Sequence, residues 1–377
     1  MPRQHNQQRQ QPQREAAAFE VEVIPGLEDI AGQELQRSLG RHMVREPIVR
    51  EGLLPIRYAG ERTALLGLAT VLAVYERHHF AIPRPKALLG QSAFDTLLRA
   101  IETVRALHPR DAFQTLRISA AGEESSVLVR LREQLANATG LAYVAEEGNL
   151  LLRLRRPLDA RKEATQGSDP GWEVLIRLSP RPLSARRWRV CNLPGALNAS
   201  VAHAMALLTQ PHADDVVLNL ACGSASLLIE RLAAASARIA VGCDMDGGAL
   251  ECARANVAAS GADGIRLELW DAGALPTPDA WVDAVLADLP FGQLVGSHER
   301  NLELYPRILR EAARVTVAGG LFAAITQDIR LWERLVADAA ADWTLRQLLP
   351  IKLPFGGGHL RPRIYVLQRK GLDGHIF

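Results

Sequence analysis

The chain begins with a polar, glutamine-rich run and changes character at Phe19, where Phe19-Glu20-Val21-Glu22-Val23 alternates apolar and polar positions. A period of two reads as a strand with one buried face. Pro25-Gly26-Leu27-Glu28 supplies a turn, and residues 28–39 place apolar side chains at helical spacing. A strand at 53–58 and an apolar helix after Arg62, covering the run 63–75, extend this into a small α+β unit that ends near Pro83-Arg84-Pro85. A second unit follows, with helices at 94–107 and 127–138 and strands at 115–119 and 150–155. Residues 160–171 are polar, glycine-bearing and aperiodic, which marks a linker or a long hairpin and the main domain boundary.

From residue 216 onward the rhythm is short apolar strands alternating with helices. Strands are expected at 216–220, 239–243, 265–270, 284–288 and 320–326, and helices at 224–235, 248–260, 302–317 and 329–341. This is the pattern of an α/β fold with a parallel sheet covered on both faces. The ending breaks it: 345–349 and 364–368 have no helix between them, and predict an antiparallel hairpin closing the sheet. That ending departs from a dinucleotide Rossmann fold and matches the class I methyltransferase sheet.

Length and composition narrow the classes. The 377 residues, 48% hydrophobic and 23% charged, are enough for two or three domains and exclude a fibrous or wholly disordered chain. Lys+Arg of 44 against Asp+Glu of 42 leaves a net charge of +2, so any basic surface must be local. The first 18 residues lack large apolar side chains and are expected to be a disordered tail with no secretory signal, which places the protein in the cytoplasm. The run 63–75 is too short to span a bilayer, which needs about 20 residues. Cys191, Cys222, Cys243 and Cys252 form no C-x-x-C pair and have no histidine at zinc-ligand spacing. No metal is expected, and all four are read as reduced, buried thiols.

The candidate chemistry lies at strand ends. The first strand of the C-terminal half runs into Asn219-Leu220-Ala221-Cys222-Gly223-Ser224, where Gly223 lets a ligand approach backbone at a helix start. The segment fails G-x-G-x-x-G, because Ala225 and Leu227 stand where glycines belong, so a dinucleotide loses support. Asp244 ends the second strand, where a carboxylate accepts two ribose hydroxyls, and Asp271 follows the third, placed for an adenine edge. Met245 and Ala272 adjoin them. A carboxylate or glycine at the end of three successive strands points to a nucleoside cofactor. The fourth strand ends in Asp288-Leu289-Pro290-Phe291-Gly292. An exocyclic amine is a poor nucleophile because its lone pair is delocalised into the ring. Asp288 and the carbonyl of Leu289 are suited to accept its two N–H bonds, and Phe291 to stack on a base swung out of its helix.

That pentapeptide resembles the D/N-P-P-Y/F motif of methyltransferases that modify exocyclic amines. With Pro25-Gly26-Leu27-Glu28, Arg117-Ile118-Ser119, Leu193-Pro194-Gly195-Ala196-Leu197 and Cys222-Gly223-Ser224, the chain from Phe19 onward resembles the THUMP-domain methyltransferases that make N2-methylguanosine in tRNA. The resemblance implies a disordered tail at 1–18, a ferredoxin-like unit at 19–82 and a THUMP RNA-binding domain at 83–160 that grips the tRNA acceptor end. It further implies a linker at 161–190 and a catalytic domain at 191–377 using S-adenosylmethionine. Pro194, Gly195, Ala196 and Leu197 would start a helix lining the cofactor pocket, beside Asn219, Ala221, Cys222, Gly223 and Ser224. The family's first motif reads D-P-x-C-G-S-G-T, so Asn219 replaces an Asp and Ala225 a Gly, and Ala225 would set a methyl group against the cofactor. Two alternatives stay open: an RNA-binding adaptor with weakened catalysis, and a methyltransferase acting on rRNA or on adenine N6.

Three arginine groups are the expected RNA surface: Arg181, Arg186, Arg187 and Arg189 around Trp188; Arg153, Arg155 and Arg156 with Arg161 and Lys162; and Arg361 and Arg363 after Gly356-Gly357-Gly358.

Overall fold

The computed structural model describes residues 16–158, 169–291 and 297–371. Gly292, Arg161, Lys162, most of the expected tail and most of the expected 160–171 linker lie outside the described residues. The chain divides into two compact units, the first mainly up to Arg181 and the second mainly from Pro182.

The first unit is built on one sheet of eight strands: β1 (Ala17–Val23), β2 (Met43–Arg45), β3 (Leu53–Tyr58), β4 (Val71–Phe80), β5 (Thr115–Ala120), β6 (Ala142–Tyr143), β7 (Leu150–Arg155) and β8 (Trp172–Arg177). Their spatial order is β2-β3-β1-β4-β8-β7-β5-β6, so the residues of both expected small units share a single sheet. Three expectations are corrected. Ala17 and Ala18, assigned to the tail, pair with Tyr58 and Arg57 in β1. The run 63–75 is not one helix: only Arg62–Leu65 is helical, and Val71 onward is strand. The β-branched and aromatic side chains Val71, Val74 and Tyr75 suit a pleated surface better than a helix. Trp172–Arg177, placed in the linker, is β8, antiparallel to both β4 and β7. It follows the polar stretch so closely that a sequence window averages the two.

The second unit contains β9 (Val216–Leu220), β10 (Ile239–Asp244), β11 (Ile265–Leu269), β12 (Val282–Asp288), β13 (Thr316–Thr326), β14 (Trp343–Pro350) and β17 (Arg363–Arg369), in the order β11-β10-β9-β12-β13-β17-β14. A ribbon of β15 (Leu353–Phe355) and β16 (Gly358–Leu360) connects β14 to β17. The first five are parallel and β17 is antiparallel to both β13 and β14, as the hairpin expectation required. Consecutive residues feed opposite cores. Val216, Leu218 and Leu220 enter one hydrophobic cluster with Val285, Ala287 and Phe322, while Val217, Ala284 and Leu286 enter another with Val201, Met205 and Leu228. Helices therefore cover both faces, and the central strands β9 and β12 are buried along almost their whole length. The order turns back between β9 and β12, and a crevice opens at the carboxyl ends of strands where this happens.

Candidate functional site at the carboxyl edge of the parallel sheet

The turn after β9 is held in an uncommon conformation. Ala221, Gly223 and Ala225 have φ of 45°, 52° and 62°, in the left-handed region that costs an L-residue roughly 1 kcal/mol or more. The Gly223 amide donates to Asp244 Oδ2 at 2.9 Å, and the Asp246 amide donates to Oδ1 at 3.0 Å, so the carboxylate ending β10 fastens the turn after β9. A Cβ added to Gly223 would meet nothing within 4 Å. The turn thus has an open side where a ligand can lie against backbone, with the exposed Met245 next to Asp244. Asp271 accepts from the Gly273 amide at 2.8 Å and from the Arg307 guanidinium. Partial burial opposes its ionisation, but those two donors hold its carboxyl below the usual range. Ala272 is buried beside it. Gly223, Asp244 and Asp271 thus lie at or just past the ends of three adjacent strands, where the sequence placed them.

Two departures from the family motif have different consequences from those expected. Asn219 is 1% exposed and its amide nitrogen donates to the backbone carbonyls of Leu220 at 3.2 Å and Leu286 at 3.1 Å. Those acceptors face a donor, a role an ionised Asp could not fill, and the bond to Leu286 ties β9 to β12 where the order turns back. Ala225 is fully buried, and its methyl packs with Ile229 and Ala253. It points into the core and away from the open side of the turn, which corrects the expected clash.

Segment 193–197 is also placed differently. Leu193-Pro194-Gly195-Ala196 is a turn, with the Ala196 amide donating to the Leu193 carbonyl, and the helix starts only at Ala199 with Asn198 as its cap. Asn256, fully buried, accepts from the Cys191 amide and donates to the carbonyls of Cys191 and Ser224, joining Cys191, just before this segment, to the glycine turn. Cys191 and Cys252 form a disulfide with Cα atoms 5.4 Å apart, a correction to four free thiols. Their separation of 61 residues gave no spacing signal. Cys222 and Cys243 remain free and buried, and burial pushes the Cys243 thiol up to about 12.

Asp288 ends β12, opposite Ile325 of β13. It keeps a partly open face, while the packed strand ends around it push its carboxyl up to about 7 by desolvation. The turn after it is clamped. Leu289 is buried and donates its amide to the Ile325 carbonyl, and the Pro290 carbonyl accepts from Tyr305 Oη at 2.6 Å and Asn301 Nδ2 at 3.0 Å. Tyr305 and Asn301 lie in the helix His298–Val315, which begins four residues before the expected start at 302 and so takes in Asn301. Their signal was two polar residues one turn apart on its apolar side. Phe291 is partly buried against the core cluster, which leaves only part of its ring for a base.

The arginine groups separate into paired and open. Arg155 donates to Glu20 and Glu173, and Arg153 pairs with Glu22 at 3.1 Å over the Tyr75 ring. Arg156 pairs with Asp169 at 2.6 Å and stacks on Trp172. Arg186 is held by the buried Glu230, which also accepts from His203 at 2.9 Å. Arg189 donates to the Leu197 carbonyl and to Ser226 Oγ, and Trp188 packs on the cluster around Ala225. Each of these cations has a partner within the protein. Arg181, Arg187 and Arg361 are exposed.

Residues 186–352 match the family model described as UPF0020, the RMKL-like methyltransferase domain. Relatives of the chain include the tRNA (guanine(6)-N2)-methyltransferase of Thermus thermophilus, 28% identical over 93% of this chain and 99% of that one. The tRNA (guanine(6)-N(2))-methyltransferase THUMP3 of Mus musculus is 28% identical over 52% of this chain and 41% of its own, so the chain spans less than half the length of that relative. Among solved structures, TrmN from Thermus thermophilus superposes with a TM-score of 0.68 at 24% identity, over 93% of this chain and 99% of that one, and shows the same fold.

Proposed function

We propose that the protein transfers a methyl group from S-adenosylmethionine to the exocyclic N2 of a guanosine in tRNA. The observation that carries this reading is Asp288, a carboxylate with a pKa near 7 at the end of β12 in a methyltransferase domain, one strand from the open glycine turn. The names of the Thermus and mouse relatives support guanine N2 as the acceptor.

The residues present fit the cofactor. Gly223 offers an open backbone, Asp244 a carboxylate with lone pairs left for ribose hydroxyls, and Asp271 and Met245 the polar and apolar sides of an adenine site. Leu197, at the end of the turn, is tied to the same place through Arg189, which donates to the Leu197 carbonyl and to Ser226 Oγ at the start of the following helix. When bound, the cofactor supplies an electrophilic methyl group. Asp288 and the Leu289 carbonyl accept the two amino hydrogens of the guanine, which localises the nitrogen lone pair. Asp288 then takes the proton released as the N–C bond forms, a task suited to a group titrating near neutrality. The two bonds on the Pro290 carbonyl keep the Asp288-Leu289 acceptors in place, and the open part of the Phe291 ring covers the base. The first unit, with the expected THUMP residues 83–160, would hold the tRNA acceptor end.

Replacing Asp288 with Ala tests this reading. Methyl transfer is expected to fall by about a hundredfold or more, while cofactor and RNA binding stay within a factor of about two. Retained turnover would remove Asp288 from the mechanism, and lost cofactor binding would make it a structural residue.

A further inference from the structure

Next to the Asp288 turn lies an open cleft of about 530 Å³ lined by His298, Gln327, Asp328, Arg330 and Arg334. Ligand sites fall roughly between 300 and 1,000 Å³. It sits at the carboxyl end of β13, and Asn301 connects it to the reacting end of β12, since its amide nitrogen faces both the Pro290 carbonyl and Asp328 Oδ2. We propose that this cleft binds the phosphodiester backbone of the RNA strand beside the target nucleotide, with Arg330 and Arg334 as the phosphate contacts. The proposal rests on the reading of the protein as an RNA methyltransferase.

The charge pattern carries it. Arg330 and Arg334 stand four residues apart on the helix Ile329–Asp338, on one face and a turn apart. Both are exposed, and among the described residues neither has an ion pair. Arg186, Arg307 and Arg363, by contrast, are each bound to a carboxylate. The one acid lining the cleft, Asp328, already accepts from Asn301 and lies 2.8 Å from His298 Nδ1, so its charge is engaged. Glu333, on the same helix, is taken by Arg363 at 2.6 Å. The platform is rigid because Leu331, beside the two arginines on the cleft wall, and Trp332, on the far side of the helix, are buried in the core. Gln327 Oε1 is a buried acceptor without a partner on the cleft wall, suited to a ribose 2′-hydroxyl, the group that marks RNA. Guanidinium groups bind phosphate in forked geometry, and two of them one turn apart span a backbone linkage.

The test is the salt dependence of binding by the full chain to an unmodified tRNA transcript. Each phosphate contact contributes about 0.7 to the slope of log affinity against log salt for a single strand. The double variant Arg330→Ala/Arg334→Ala is expected to lower that slope by about 0.7 or more and to raise KM for RNA about tenfold, with cofactor affinity unchanged. Arg330→Lys/Arg334→Lys, which keeps both charges, should retain the slope. An unchanged slope in the alanine variant, with wild-type RNA binding intact, overturns this site alone. No RNA binding by the wild-type chain overturns the functional reading and the site with it.

Discussion

Asp288 carries its charge under duress. Its folded pKa of about 7 lies above the ordinary 3.8 because burial disfavours the carboxylate. Two consequences have defined signs. Catalysis needs the ionised form to accept from the amine, so kcat is expected to rise with pH through about 7 and level above it; a flat profile from pH 5 to 8 would contradict this. For stability, a raised folded pKa gives a contribution that is complete below about 3.8 and lost as pH rises through about 7. Asp288→Asn should therefore melt higher than the wild type at pH 8 while being inactive, and the difference should vanish in acid. Asn219 makes the complementary case. Asn219→Asp, which restores the family residue, would set a carboxylate against the Leu220 and Leu286 carbonyls and cost about 1–3 kcal/mol at pH 7. Protonation supplies a donor again, so denaturant unfolding should show the deficit shrinking at low pH. From the sequence Asn219 looked like a lost charge; its two facing carbonyls belong to separate strands and are visible only once those strands pair.

At the scale of elements, strand ends were legible and side-chain partners were not. Asp244, Asp271 and Asp288 fall at or just past the ends of successive strands because apolar runs between helices define parallel strands well. In the arginine-rich segment around Trp188, density of positive charge does not reveal what each cation faces. Arg186 faces Glu230, which is buried at 2% exposure on the helix Ser226–Ala234. Burial opposes ionisation of Glu230, but His203 and Arg186 hold its carboxyl below the usual range. Removing its charge leaves Arg186 buried beside a neutral group, so Glu230→Gln should destabilise by about 3–5 kcal/mol in urea unfolding. A loss under 1 kcal/mol would show that the pair is solvated. The 63–75 run was equally opaque to pattern, since an apolar stretch without clear period fits a buried helix and a buried strand alike.

For the whole molecule, the sequence conveyed an α/β C-terminal half with an antiparallel ending, and the pairing of β17 with β13 and β14 confirms that ending. It did not convey that β8 joins the sheet of the first unit, nor the Cys191–Cys252 bond, because both depend on residues brought together across long separations. The central claim concerns the chemistry of the β12 end, and one measurement addresses it directly. The purified chain is incubated with methyl-labelled S-adenosylmethionine and unmodified tRNA, and the RNA is digested to nucleosides and resolved by mass spectrometry. Label in N2-methylguanosine is the predicted result; RNA bound without label, or label confined to N6-methyladenosine, would contradict it.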